Sequence, residues 1–350
     1  MRPADRTAAA WVRAVDAVGR HLGTRLASGP APDIVWWGGA DSGLLSVARL
    51  PEDARCLLVD EDPRRIRAAS RAAGRPLQTR RLLSLADLGH DGDRTEQALA
   101  AAAPRSLDAY LALQERLAAD AREQPAVADG GCTHLVMDLV LNRLATPHWA
   151  AALDEAMRVL GREGSVMCVV LMADEPVDGS HALRPLASAN RFRLPTELEV
   201  VQALESAGFH GMSMQWGTAL DPEAVDRIGE ADVRLCLVEA WRGKQGPCLE
   251  LGQAVVYRGP WREVRDDDGH VYPRGERVAV CAKTFGLLMR APYAADFIGL
   301  RSVAEPTLDN ALPFDCTQGM RRDPKVTKGL RPFVGSRTHD DACTAGSGCC

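Results

Sequence analysis

The chain has 350 residues, 46% of them hydrophobic and 25% charged, the proportions of a folded globular protein of about two domains. Lys and Arg total 42 against 47 Asp and Glu, a formal net charge of −5, so a nucleic-acid backbone is not expected as a partner. No apolar run approaches the roughly 20 residues that cross a bilayer, so a membrane partner is not expected either.

Trp11, Val12, Val15, Val18 and Leu22 recur at helical spacing and predict a helix over Asp5–Ala27. The Arg- and Ala-rich start carries Asp5 and Asp16 and no apolar stretch, which argues against a signal or transit peptide. Ile34–Trp37 reads as a strand running into Gly38-Gly39-Ala40-Asp41-Ser42-Gly43, followed by a helical Leu44–Leu50. Cys56–Val59 is a second strand ending at Asp60, and Pro63–Ala73 a helix with Asp62 as N-cap and Pro63 at its first position.

Asp91–Gln124 is Ala-rich and helical throughout. Leu135–Leu141 is an apolar run, Ala150–Leu160 an amphipathic helix, Ser165–Leu171 a buried strand and Glu197–Ala207 a helix. Strands alternating with helices at this spacing predict a doubly wound parallel sheet covered on both faces. After about Leu235 the character changes to short strands at Leu237–Trp241, Ala254–Arg258, Val271–Tyr272 and Val278–Cys281. Asp266-Asp267-Asp268-Gly269 reads as a hairpin turn, because it lacks the alternating ligands and distant Glu of a calcium loop. The expected organisation is an α/β domain over residues 1–235, a β-rich domain over 236–308 and an extended Cys-bearing tail over 309–350.

A Gly-rich turn after a first strand lets the main chain approach a ligand, and an acid ending the next strand can accept both hydroxyls of a ribose. Gly38, Gly39 and Gly43 supply the turn and Asp60 the acid, although the turn fits no strict G-x-G-x-x-G pattern. A tight turn in any doubly wound domain would look the same. Ten cysteines in a chain of this kind are expected as thiols of a reducing cytoplasm, not as a disulfide framework. Cys56, Cys168 and Cys236 lie in apolar strands and read as core residues.

The run Met157-Arg158-Val159-Leu160-Gly161 before Gly164 and a strand resembles the later half of class I S-adenosylmethionine-dependent methyltransferases. The segment Lys244-Gln245-Gly246-Pro247-Cys248-Leu249-Glu250-Leu251-Gly252-Gln253-Ala254-Val255-Val256-Tyr257 resembles the arsenite methyltransferase family. So do Tyr257–Trp261, Arg274–Cys281, Lys283-Thr284-Phe285, Pro313-Phe314-Asp315-Cys316 and the terminal Gly346-Ser347-Gly348-Cys349-Cys350. The resemblance implies a Rossmann-like methyltransferase sheet with a smaller β-rich domain. It implies S-adenosylmethionine as cofactor, held by Gly38, Gly39, Gly43 and Asp60, with Asp87 near the adenine. It also implies Cys248 on the side of a metalloid or small-molecule substrate.

The chain departs from the family where other arsenic thiols are expected: Ala40 stands in the Gly turn, and Ser188-Ala189-Asn190 carries no thiol. Three readings follow. The chain is a divergent methyltransferase of the arsenite type, a methyltransferase of an organic substrate, or a non-catalytic relative. The last would bind a metal, a metalloid or a protein through Cys248 and the tail thiols Cys343, Cys349 and Cys350.

Overall fold

The computed structural model describes residues 3–27, 32–38, 42–184, 186, 191–226, 228–244, 246–317 and 319–332. Gly39, Ala40, Asn190 and the tail thiols Cys343, Cys349 and Cys350 lie outside the described residues. Two compact units divide the chain, residues 1–242 and 243–350.

The first unit starts with α1 (Pro3–Leu26), β1 (Asp33–Trp37), a short α2 (Leu44–Val47), β2 (Arg55–Asp60) and α3 (Pro63–Ala72). Asp62 caps α3, its side chain accepting the Arg64 N–H at 2.8 Å. A hairpin of β3 (Gln78–Ser84) and β4 (Asp87–Asp91) comes next. It has no apolar run to announce it: β3 is Arg-rich and half exposed. The stretch expected as one helix is two, α4 (Gly92–Ala101) and α5 (Leu107–Glu123), because Pro104 interrupts it and Ser106 opens a new N-cap.

Then follow β5 (Cys132–Asp138), α6 (Val140–Arg143), α7 (Trp149–Val159), β6 (Leu160–Ala173), the two-residue strands β7 (His181–Ala182) and β8 (Arg191–Phe192), α8 (Glu197–Ser206), β9 (Phe209–Gln215) and β10 (Val233–Arg242). The large sheet has the order β4-β3-β2-β1-β5-β6-β10-β9. Strands β3, β2, β1, β5 and β6 run parallel, and β10 is antiparallel to both β6 and β9. Leaving out the hairpin edge β4, this is the seven-strand order of the class I methyltransferase fold, with its reversed strand inserted beside the last. The unit is thus a mixed α/β, Rossmann-like domain.

Both faces of the sheet are covered, so its central strands are apolar along their length: β6 is buried from Ser165 to Ala173. Side chains alternate between faces, which sends neighbouring indoles to opposite cores. Trp36 joins Trp11, Val18 and Leu22 of α1 on one face, and Trp37 joins Leu153 and Val159 of α7 on the other. Both are fully buried. Strand β10 holds residues 236–242 in this sheet, so the division between units falls after Arg242 instead of at the expected residue 235.

The second unit holds β11 (Leu249–Glu250), β12 (Ala254–Tyr257), β13 (Glu263–Arg265), β14 (Val271–Pro273), β15 (Arg277–Ala279), α9 (Ala282–Leu288), β16 (Phe297–Leu300), β17 (Leu312–Pro313) and α10 (Pro324–Thr327). A three-stranded sheet, β15-β12-β16, packs Val255, Tyr257, Val278, Phe285 and Phe297 into its core. The hairpin β13–β14 turns at Gly269, whose N–H bonds the Asp266 carbonyl at 2.9 Å with φ +85, as the turn reading expected.

Residues beyond 309 are built into this unit as far as they are described. Strand β17 pairs with β11, and the Ala279 and Arg322 N–H groups bond Met320 and Arg277 across the chain. Glu250 takes both oxygens to Arg322 at 2.8 and 2.9 Å in a buried pair. No described helix is long and apolar enough to cross a membrane.

Candidate functional site

Open α/β sheets bind ligands outside the carboxyl ends of their strands, where the strand order reverses. Here the chain moves outward from β1 through β2 and β3, then returns to pair β5 with the other side of β1. The strand ends at this point are Gly38, Asp60 and Asp138.

Gly38 has φ +78, and its N–H bonds the Val59 carbonyl at 2.9 Å. A Cβ there would lie 2.9 Å from Val140 Cγ2, 3.1 Å from the Asp138 carbonyl and 3.4 Å from the Arg143 guanidinium. Glycine is therefore required twice over, by conformation and by the closeness of α6. Gly43, φ +82, opens α2 in the same left-handed conformation, where a Cβ would meet only Val15 Cγ1, at 4.0 Å, among the described residues. Gly39 is among the residues not described.

Asp60 is fully buried and its carboxylate is already engaged. Oδ1 accepts the Asp62 N–H at 2.8 Å and Arg65 at 3.2 Å, and Oδ2 accepts Arg143 at 3.0 Å. The second arm of Arg143 bonds Glu61 at 3.0 Å, and Glu61 also accepts the Leu85 N–H at 3.0 Å. Two acids and two arginines thus close over the end of β2. Arg143 spans from α6 to β2 while keeping only 9% of its side chain exposed.

Asp138 ends β5 beside them, with no exposed surface. Its Oδ2 accepts the Ser42 hydroxyl at 2.7 Å and the Trp36 indole N–H at 3.2 Å. Oδ1 has no hydrogen-bond partner among the described residues. Burial is the largest influence and pushes its pKa up to about 8, against the lowering pull of Ser42, Trp36 and Arg143. At neutral pH this carboxyl is mostly protonated. Leu139, which follows it, has φ +58, a strained conformation that turns the chain sharply into α6.

Asp87 lies where β3 turns into β4. Its carboxylate accepts the Gly89 and His90 N–H groups at 2.6 and 3.2 Å and the His90 ring at 2.5 Å. It is the local turn that uses this acid.

The thiols fall into two classes. Burial pushes Cys56, Cys132 and Cys168 up to about 12 and raises Cys236, which makes them inert core groups. Cys248, Cys281 and Cys316 instead converge in the second unit, with all their Sγ atoms within 4.8 Å of one another. The β11–β17 ladder and the Phe314 N–H bonding the Cys248 carbonyl at 2.9 Å bring the first and third together. Cys281 was expected in a strand, but β15 ends at Ala279 and Cys281 caps α9, its sulfur accepting the Thr284 N–H at 3.5 Å.

A cavity of about 240 Å³ is lined by Cys281, Cys316, Thr284, His270 and Asp268. Asp266 and Asp268 of the turn are both bound by the buried Lys244 ammonium. Sequence reasoning found Cys248 alone of the three thiols and neither Arg143 nor Asp138. The clue available for Cys316 was its motif resemblance, and for Arg143 its place directly after the apolar run of β5.

Residues 244–332 match a domain family of unknown function, DUF8838. No curated protein matches the chain. Among solved structures it is similar to a 1,6-didemethyltoxoflavin-N1-methyltransferase of Burkholderia thailandensis, solved with its acceptor and S-adenosylhomocysteine. That match has 13% identity and TM-score 0.40, covering 65% of this chain and 79% of that one. It is also similar to an arsenic(III) S-adenosylmethionine methyltransferase of Chlamydomonas reinhardtii at 15% identity and TM-score 0.39, over 87% and 98% of the two chains.

Proposed function

We propose that the chain is an S-adenosylmethionine-dependent methyltransferase of the arsenite methyltransferase type, acting on a metalloid or small-molecule acceptor in a reducing cytoplasm. The observation that carries this reading is the sheet order with its reversed strand β10, which puts the acid Asp60 at the end of the strand next to the Gly turn. The resemblance of residues 244–285 to that family supports the acceptor class, with Cys248 on the acceptor side.

The donor set suits the cofactor in kind. Asp60 would accept the ribose hydroxyls, and Gly38 admits close approach of the main chain. When bound, the sulfonium supplies an activated methyl group, so the protein's task is chiefly to position the reactants. Arg143 competes for the same Asp60 oxygen and must release it before a nucleoside can take its place. Asp138, mostly protonated, adds no full negative charge at the neighbouring strand end.

Calorimetric titration of the full chain with S-adenosylhomocysteine tests the reading. One-site binding that Asp60→Asn abolishes is expected. Absence of both heat and thermal shift at millimolar ligand, in the wild type and in Arg143→Ala alike, would refute it.

A further inference from the structure

We propose that Cys248, Cys281 and Cys316 form a single chelating site that takes up one thiophilic ion as three thiolates. The inference does not rest on methyl transfer, since a three-thiolate site binds its ion with or without a methyl donor.

The three cysteines come from three separate segments, the approach to β11, the cap of α9 and the residues after β17. Their sulfurs sit within 4.8 Å of one another. Tetrahedral coordination at the usual Zn–S distance of about 2.3 Å places sulfurs about 3.8 Å apart. The cluster therefore closes on an ion by shifts of about 1 Å or less, within the reach of side-chain rotation. Three sulfur donors select soft or borderline ions over magnesium and calcium, which take oxygen.

Polar groups surround one of these sulfurs. The Thr284 N–H and hydroxyl lie 3.5 and 3.3 Å from Cys281 Sγ, ready to donate to a thiolate. Lys244 is near enough to Cys281 for an electrostatic interaction and is itself buried. Cys281 and Cys316 face the cavity of about 240 Å³, which leaves room beside the sulfurs for a water or a small fourth ligand.

The site also answers a structural need. Among the described residues, the apolar cluster that holds the thiols has Ala279, Cys281 and Phe314 as its buried members, with Cys248, Cys316 and Met320 partly buried against them. The ladder of β11 and β17 is two residue pairs long. So short a ladder and so small a core gain from a metal cross-link. On binding a cation, three S–H protons pass to solvent as three sulfur–ion bonds replace bonds to water. On binding arsenite, the three protons leave with its three hydroxyl groups as water while three As–S bonds replace three As–O bonds. Neither case changes an oxidation state.

The full chain, reduced with a phosphine and stripped with a chelator, is titrated with zinc, with cadmium and with arsenite in separate arms. Bound ion is counted by mass spectrometry, and alkylation mapping reports which cysteines become protected. One ion per chain, with Cys248, Cys281 and Cys316 protected together, is expected in the zinc and cadmium arms if the ion is a resident cation. Protection of the same three in the arsenite arm alone identifies the site as one for the metalloid.

Cys316→Ser, a partly exposed position, should weaken binding by at least about 100-fold, the upper end of what loss of an outer-shell partner costs. Cys343→Ser/Cys349→Ser/Cys350→Ser should leave it unchanged. Binding that survives Cys316→Ser, protection mapping to the tail, or no stoichiometric uptake in any arm overturns the proposal.

Discussion

Asp138→Asn isolates the cost of keeping one carboxyl buried at the end of β5. The side chain has no contact with solvent, and its folded-state pKa is about 8 against an ordinary 3.8, burial being the main cause. Between these values the folded chain holds a proton that the unfolded chain has released. Stability supplied by the protonated group is therefore complete below about pH 4 and falls as pH rises, until the folded pKa is passed.

The slope is about 1.4 kcal/mol per pH unit, so wild-type stability should drop by about 2.7 kcal/mol between pH 5 and pH 7 from this group alone. Asparagine is uncharged in both states, and its carbonyl oxygen can accept the Ser42 and Trp36 donors that now reach Oδ2. Urea denaturation followed by tryptophan fluorescence at pH 5, 6 and 7 supplies the comparison. The variant should gain on the wild type by about 1.4 kcal/mol at each step. Parallel curves for the two proteins, with a constant offset, would show that Asp138 is ionised in the folded state and that the burial argument is wrong.

His134, half-buried with its Nδ1 3.0 Å from the Ser165 hydroxyl, has a pKa lowered to about 4 by burial and then by Arg25. It stays neutral in the folded chain while the unfolded chain protonates, so stability falls as pH drops from about 6.5 through 4. His134→Gln should remove about 3 kcal/mol of that acid sensitivity in denaturation curves at pH 4 and 7. Arg143→Ala removes one of three donors from a buried carboxylate and should cost about 3 kcal/mol of stability, the low end for breaking a buried pair because Arg65 remains. The same variant should bind S-adenosylhomocysteine about 100-fold more tightly by calorimetry; weaker binding would mean that Arg143 serves the ligand.

The parallel part of the sheet was legible because β1, β2, β5 and β6 are buried on both faces and so are written as apolar runs. The hairpin β3–β4 was not, because β3 is half exposed and Arg80 and Arg81 break the apolar pattern. Asp60 was found from its position after a strand, which is local information. Its engagement with Arg143 was not, because those residues are 83 apart in sequence and meet only when β5 returns beside β1. The thiol cluster was hidden for the same reason. Cys281 and Cys316 carry no mutual spacing signal, and it is the strand pairing β11–β17, with the Phe314 N–H bond to the Cys248 carbonyl, that makes Cys316 a neighbour of Cys248.

The closed state of Asp60 is compatible with a donor-binding site if the energies are set side by side. A nucleoside ligand that would bind an open Asp60 with a dissociation constant of about 1 μM gains about 8 kcal/mol. Displacing Arg143 from a carboxylate with no exposed surface takes back about 3 kcal/mol, which leaves an apparent constant near 100 μM, since affinity scales with the fraction of chains already open. The guanidinium is also tied to Glu61, so opening costs two bonds and one ligand contact replaces only one of them. A ligand that in addition neutralised Glu61, as the positive sulfonium can and the neutral thioether of S-adenosylhomocysteine cannot, would recover part of that loss. The two ligands should therefore differ in the wild type by more than they do in Glu61→Gln, which removes that charge and leaves the Arg143–Asp60 pair in place. Equal ratios in both proteins would place the charge selectivity somewhere other than this strand end.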